Sequence, residues 1–200
     1  MKARYAILLV ILTGFAVVLS QKAVAAKGDG GGIPSPSGQF STTLQGSLAI
    51  CLNPSTFAQE SCSTSGALVV PLSVLFNGAG TFDAAGNACI AGTEVDSDLP
   101  VDVSPPFVTA NEHVTGKTLN YDSTTGTGDG SFTGYIGGKC NGTAFDNTGA
   151  TQISTGTDHF VVTAGGSRVD FLFTSLTNAA SSIGDFSLSG SDVRQSPGRN

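Results

Sequence analysis

The chain lacks tryptophan, has one methionine, three tyrosines and two histidines, and only 12% of its residues are charged. With no Trp, and with Tyr121 and Tyr135 as the only tyrosines beyond the N-terminal segment, it has no aromatic platform of the kind that stacks sugars or bases. Imidazole chemistry is limited to His113 in TANEHVTG and His159 in GTDHFVV. Glu112 and Asp158 precede them, but neighbours along a strand point to opposite faces, so adjacency makes no catalytic pair. The chain contains no G-x-S-x-G, no H-E-x-x-H, no phosphate-binding loop and no C-x-x-C. No catalytic residue is nominated and no cofactor is expected.

Basic residues are also few, 9 against 15 acidic ones. A net charge of −6 repels nucleic acid and anionic membrane surfaces, so neither is an expected partner. The one long apolar run, Ala6 to Leu19, follows Lys2 and Arg4 and precedes Ala23, Ala25 and Ala26. It is shorter than the ~20 residues a spanning helix needs, which makes residues 1–26 a signal peptide of bacterial style. A secreted or periplasmic protein with no membrane span after cleavage is the expectation. Its oligomeric state is not legible.

Residues 27–38, KGDGGGIPSPSG, carry one large apolar side chain, Ile33, and read as a flexible linker. A single β domain is expected over 39–195, with a disordered tail over 196–200. In the domain Phe40, Thr42, Leu44, Gly46, Leu48 and Ile50 alternate with more polar residues, which is the period of a strand. The same period recurs at Phe160 and Val162, at Val169, Phe171 and Phe173, and at Phe186 and Leu188. In ALVVPLSVLF, Pro71 cannot donate a ladder hydrogen bond and marks an edge, a bulge or a bend. A helical turn is expected only around Asn178 to Ser182.

Two Asp-x-x-Gly turns, Asp83 to Gly86 and Asp146 to Gly149, sit in matching contexts after Phe82 and Phe145. Asp accepts hydrogen bonds at the head of such a turn and Gly takes the left-handed conformation that closes it, so two hairpins are expected. DSTTGTGD, Asp122 to Asp129, reads as another. Seven or eight short-spaced strands fit an antiparallel barrel or a two-sheet sandwich, and the barrel has no exposed edges.

The four cysteines, Cys51, Cys62, Cys89 and Cys140, all lie in the part expected to be exported, where disulfides form. Three pairings exist. A local bridge would close CLNPSTFAQESC between Cys51 and Cys62, leaving Cys89 for Cys140 in GGKCNGT. That last stretch also reads as a tight Asn-Gly turn or a glycine bulge, and as a glycan sequon that a bacterial signal argues against.

Gly130 and Phe132, the Cys140, Gly142 and Thr143 step, HFVVTAGGSRVDFLFT and GDFSLSGSDVRQ together resemble small secreted bacterial β-barrel proteins. These are similar to the allene oxide cyclase and dirigent barrels and, more widely, to lipocalin-like barrels. The resemblance covers residues 78–195. It implies an eight-stranded antiparallel barrel with an apolar cavity and transfers no functional residue.

Phe dominates the aromatics at apolar strand positions, so Phe132, Phe160, Phe171, Phe173 and Phe186 are candidate walls for a small apolar ligand. EVDSDLPVD places Glu94, Asp96 and Asp98 at alternating positions with Asp102 nearby, a candidate calcium site or a solvated acidic edge. The expected function is a non-enzymatic barrel that binds such a ligand or serves a structural role outside the cell. The alternatives are a cyclase or isomerase acting on a lipid-like substrate, and a calcium-dependent adhesion module.

Overall fold

Period-two patterning becomes ten strands in the computed structural model, which describes residues 31–97 and 107–195. The expected signal peptide, the first part of the linker, Asp98, Asp102 and the tail lie outside the described residues. The strands are β1 (Gly38–Leu52), β2 (Leu68–Phe82), β3 (Asn87–Ser97), β4 (Phe107–Asp122), β5 (Thr127–Ile136), β6 (Lys139–Asn141), β7 (Ala144–Asp146), β8 (Thr151–Thr163), β9 (Arg168–Thr177) and β10 (Ile183–Arg194). Eight of them close an antiparallel barrel in the order β1-β10-β9-β8-β5-β4-β3-β2, while β6 and β7 form a separate hairpin. The architecture is therefore the barrel and not the sandwich. Closure leaves no open edge, as the long alternating strands require.

The β1 alternation sets the pattern for the rest. Phe40, Thr42 and Leu44 are buried, whereas Gln39, Ser41, Thr43 and Gln45 are exposed. Pro71 lies within β2 opposite Ala49, beyond the β2–β3 ladder that begins at Ser73, so its missing N–H costs that ladder nothing.

Among the described residues the only helical piece is a 3-10 turn at Ala164–Gly166. At the place of the helical turn expected near Asn178 the chain makes a single hydrogen-bonded turn, Ser181 N–H donating to the Asn178 carbonyl at 3.0 Å, and no helix. There Asn178 Oδ1 accepts from the Ser182 backbone N–H, and its Nδ2 donates to Ser182 Oγ, so the side chain supplies bonds a helix would have made.

At the end of the barrel where β1 begins, Phe40, Phe160, Val162 and Val169 form a cluster with Ile33, Phe82, Tyr121 and Phe171 packed against it. The chain assigned to a linker is docked here from Ile33 onward. Ile33 N–H donates to the Ser123 carbonyl at 2.7 Å, Tyr121 Oη donates to the carbonyls of Ile33 and Pro34, and Arg194 donates to that of Ser37. One partly buried isoleucine and these hydrogen bonds, the Tyr121 hydroxyl shared between two carbonyls, offset the ordering cost that the surrounding Gly, Pro and Ser could not offset alone.

The two disulfides are Cys51–Cys62 and Cys89–Cys140, and no described cysteine is free. The first ties the loop between β1 and β2 to the end of β1. The second ties the β6–β7 hairpin to β3. That hairpin turns at Gly142, whose φ is 62°, so GGKCNGT is both a tight turn and a disulfide anchor. Asp83 accepts from the backbone N–H groups of Ala85 and Asn87, with Gly86 at φ 81°, as the turn pattern requires. The Asp146 to Gly149 turn has the same polar contact from Thr148 but leads from β7 into β8, which are not paired with each other, so it closes no hairpin.

Candidate functional site

An eight-stranded barrel is just wide enough for its inward side chains to fill it or to leave room for one small ligand. Here the interior holds a cavity of about 650 Å³. Its apolar wall comes from the buried phase of each strand, including Leu44, Leu72, Val74, Phe76, Ile90 and Leu188.

Glycine at inward positions explains the open space. In β5 the inward phase reads Gly128, Gly130, Phe132, Gly134, and each glycine receives a side chain from a neighbouring strand. A Cβ on Gly128 would lie 2.5 Å from the Phe160 ring, one on Gly130 would lie 2.7 Å from Asp158 Oδ1, and one on Gly134 would lie 2.6 Å from Ser154 Oγ and 2.9 Å from Glu112 Oε1. Phe132 in turn covers Gly156 of β8 and stacks on Phe173 with ring centroids 4.2 Å apart. Phe76 covers Gly92 and Phe171 covers Gly190 in the same manner. The rings lie flat against the wall, which leaves the centre unfilled.

Four of the five nominated phenylalanines, Phe132, Phe160, Phe171 and Phe173, line the cavity. Phe186, partly buried opposite Leu48, is not among its walls.

The cavity is not purely apolar. Glu94, Asp96, Glu112, Asp158 and Asp192 all reach its wall. Glu94 and Asp96 share a face, as alternation requires, but that face is the inside of the barrel and not a solvated edge. They meet Glu112 of β4, which is 5% exposed. Among the described residues, no group of three or more His, Cys, Asp or Glu side chains is arranged to hold a metal ion.

Glu94 and Glu112 are diagonal neighbours across the β3–β4 ladder and share a hydrogen bond in which protonated Glu94 donates. Burial pushes Glu94 up to about 9, helped by the charges of Glu112 and Asp96, and the same burial raises Glu112 to about 7 even though the shared hydrogen bond favours its ionised form. Burial also raises Asp96, whose Oδ1 is buried without a hydrogen-bond partner. On another arc of the wall, burial lifts Asp192 to about 7 against the opposing hydrogen bond from Thr42 Oγ1, and lifts Asp158 to about 6.

Both histidines sit outside. His159 pairs with Asp129 at 2.8 Å on the exposed surface, and His113 lies against Phe145 of the β6–β7 hairpin. Glu112, Asp158 and Asp192 escaped nomination in the sequence, although a signal existed. Each continues the inward phase of its strand: Glu112 precedes Val114 and Gly116, Asp158 precedes Phe160 and Val162, and Asp192 follows Leu188 and Gly190.

No family model, curated protein or solved structure matches this chain. The two disulfides fit an extracellular or periplasmic location, and no described helix is long and apolar enough to cross a membrane.

Proposed function

We propose that this protein is a secreted, non-enzymatic barrel that holds one small apolar molecule in its interior. The observation that carries this reading is the cavity of about 650 Å³, which falls within the roughly 300–1,000 Å³ usual for small-molecule sites. Its aliphatic and aromatic walls supply non-directional binding energy, and the few polar groups among them supply orientation. Titration with diphenylhexatriene, an uncharged dye that fluoresces only in apolar surroundings, is expected to saturate at one molecule per chain. Linear, unsaturable uptake, or none, would remove the reading.

A second reading is a cyclase or isomerase acting on a lipid-like substrate. The hydrogen-bonded Glu94–Glu112 pair favours it, because it places a protonated acid beside a group that titrates near neutrality. Turnover of an unsaturated fatty-acid epoxide, lost in Glu112→Gln, would support it; its absence across a panel of such substrates would not.

A further inference from the structure

The ligand-binding reading leaves the chemistry of the ligand open, and the charge pattern of the cavity narrows it. Five acidic side chains reach the wall. The one basic residue along it, Lys117, belongs to the opposite phase of β4 from Glu112, Val114 and Gly116, and it is not among the charges that act on any of the five acids. The ion pairs of the described residues, His159 with Asp129 and Arg168 with Asp170, lie on the outer surface. Among the described residues, Glu94, Asp96 and Glu112 therefore have no cation acting on them, whereas Asp158 feels His159 from outside the barrel.

The β3–β4 group is the part of the wall where a carboxyl oxygen is fully buried with no donor. Glu112 has another acid, Glu94, as its hydrogen-bond partner, and Asp96 Oδ1 is buried with no partner. Asp192, by contrast, already accepts from Thr42. A buried carboxylate oxygen without a donor is costly, and removing that cost requires a donor, best a charged one. A hydrocarbon would leave Asp96 as it is, and a fatty acid would add a sixth carboxyl group to a wall that already holds protons to avoid ionising. An alcohol could donate a single neutral hydrogen bond. An ammonium group could donate up to three while offsetting the negative charge.

We propose that the molecule held in the barrel is an apolar amine, its hydrocarbon body lying along the aliphatic and phenylalanine walls and its ammonium group taken up by Glu94, Asp96 and Glu112. This rests on the ligand-binding reading above. The cation takes the place of the proton shared by Glu94 and Glu112, so binding releases a proton. The groups facing that pair are Asp96 on β3 and, from β5 and β8, the uncharged Gly134 and Ser154.

The test uses the folded protein at pH 7.5 loaded with diphenylhexatriene and displaced by decylamine, decanol or decanoate, each below its micellar concentration. Decylamine is expected to displace the dye at a concentration at least tenfold lower than decanol, with decanoate weakest. In the Glu94→Gln/Glu112→Gln double variant, its fold checked by circular dichroism, direct calorimetric titration is expected to show a decylamine affinity within about twofold of that for decanol. Calorimetry of decylamine binding to the unaltered protein, repeated in buffers of different ionisation enthalpy, is expected to show proton release. Dye binding with equal displacement by all three compounds, or with decanoate preferred, overturns the amine assignment and leaves the apolar-ligand reading standing. Amine binding without proton release overturns the assigned place of the ammonium group. Failure of the dye to bind at all overturns both.

Discussion

Gly130 of β5 and Asp158 of β8 face each other across their ladder, and the missing side chain of the first is the space occupied by the carboxyl group of the second. The same relation, glycine on one strand and a bulky or charged group on the next, recurs around the barrel. It lets Phe rings and carboxyl groups lie against the wall of a narrow barrel without meeting in the middle.

Inward glycines should therefore differ sharply in their tolerance of alanine. At Gly156 a Cβ would lie 2.2 Å from the Ser175 carbonyl oxygen and 2.5 Å from the Phe132 ring, and neither neighbour is free to move without shifting the sheet. Gly156→Ala is expected to lose about 2–3 kcal/mol. At Gly116 the nearest atom would be Ala88 Cβ at 3.4 Å, so Gly116→Ala is expected to stay within about 1 kcal/mol of the parent. Urea unfolding measures both, and equal losses would contradict the packing described.

Stability should peak in mildly acidic solution. Burial raises Glu94 and Glu112 from 4.5 to about 9 and about 7, and Asp158 and Asp192 from 3.8 to about 6 and about 7. These groups hold protons in the folded state that the unfolded chain has lost, so their contribution is full below the unfolded values and is lost as pH rises through the folded ones. Asp83, Asp122, Asp129 and Asp146, in the turns and on the outer face and lowered mainly by hydrogen bonds, act in the opposite sense and lose theirs as pH falls below the ordinary Asp value of 3.8. Each proton kept only by the folded state imposes a slope of about 1.4 kcal/mol per pH unit. Thermal melts between pH 3 and 9 should show a maximum near about pH 4–5 and a continuous fall above it, with the fall above pH 7 flattened in Glu94→Gln. A profile that rises from pH 5 to 8 would contradict the buried acids.

The two disulfides should have separable effects. On chain-entropy grounds, closing sequence separations of 11 and 51 residues contributes roughly 3 and 4 kcal/mol. Cys89→Ala/Cys140→Ala should therefore cost more stability than Cys51→Ala/Cys62→Ala. The second pair anchors the loop carrying Gln59, which lines the cavity and accepts hydrogen bonds from Asn178 and Ser182. Its removal should speed dye release several-fold in stopped-flow measurements, whereas loss of Cys89–Cys140, on the outside of β3, should leave release unchanged. Equal release rates in both variants would contradict a covering role for this loop.

Much of the fold is local in origin and was legible for that reason. The alternation of β1, the Asp83 to Gly86 turn and the closing of the Cys51 loop each depend on residues a few positions apart. Barrel against sandwich was not local, because closure rests on the pairing of β1 with β10, residues such as Thr42 and Asp192 at opposite ends of the domain. The hollow interior depends on cross-strand register in the same way: Gly156 is a socket only because Phe132 lies over it. The acidic wall was hidden by the rule that charge faces solvent, which holds for Asp129 and Asp170 but fails for Asp158, one step back along the inward phase of Phe160. Ile33 escaped because a single apolar side chain in a Gly-rich stretch carries no periodicity.

The central claim is that an apolar molecule enters the barrel, and the absence of tryptophan allows a direct test. Phe173→Trp places the chain's only indole on the cavity wall. Titrating this variant with diphenylhexatriene while exciting the indole should give saturable energy transfer to the dye at one molecule per folded chain, reversed by an excess of decylamine. A folded variant whose indole emission stays constant as dye is added would show that nothing enters the barrel.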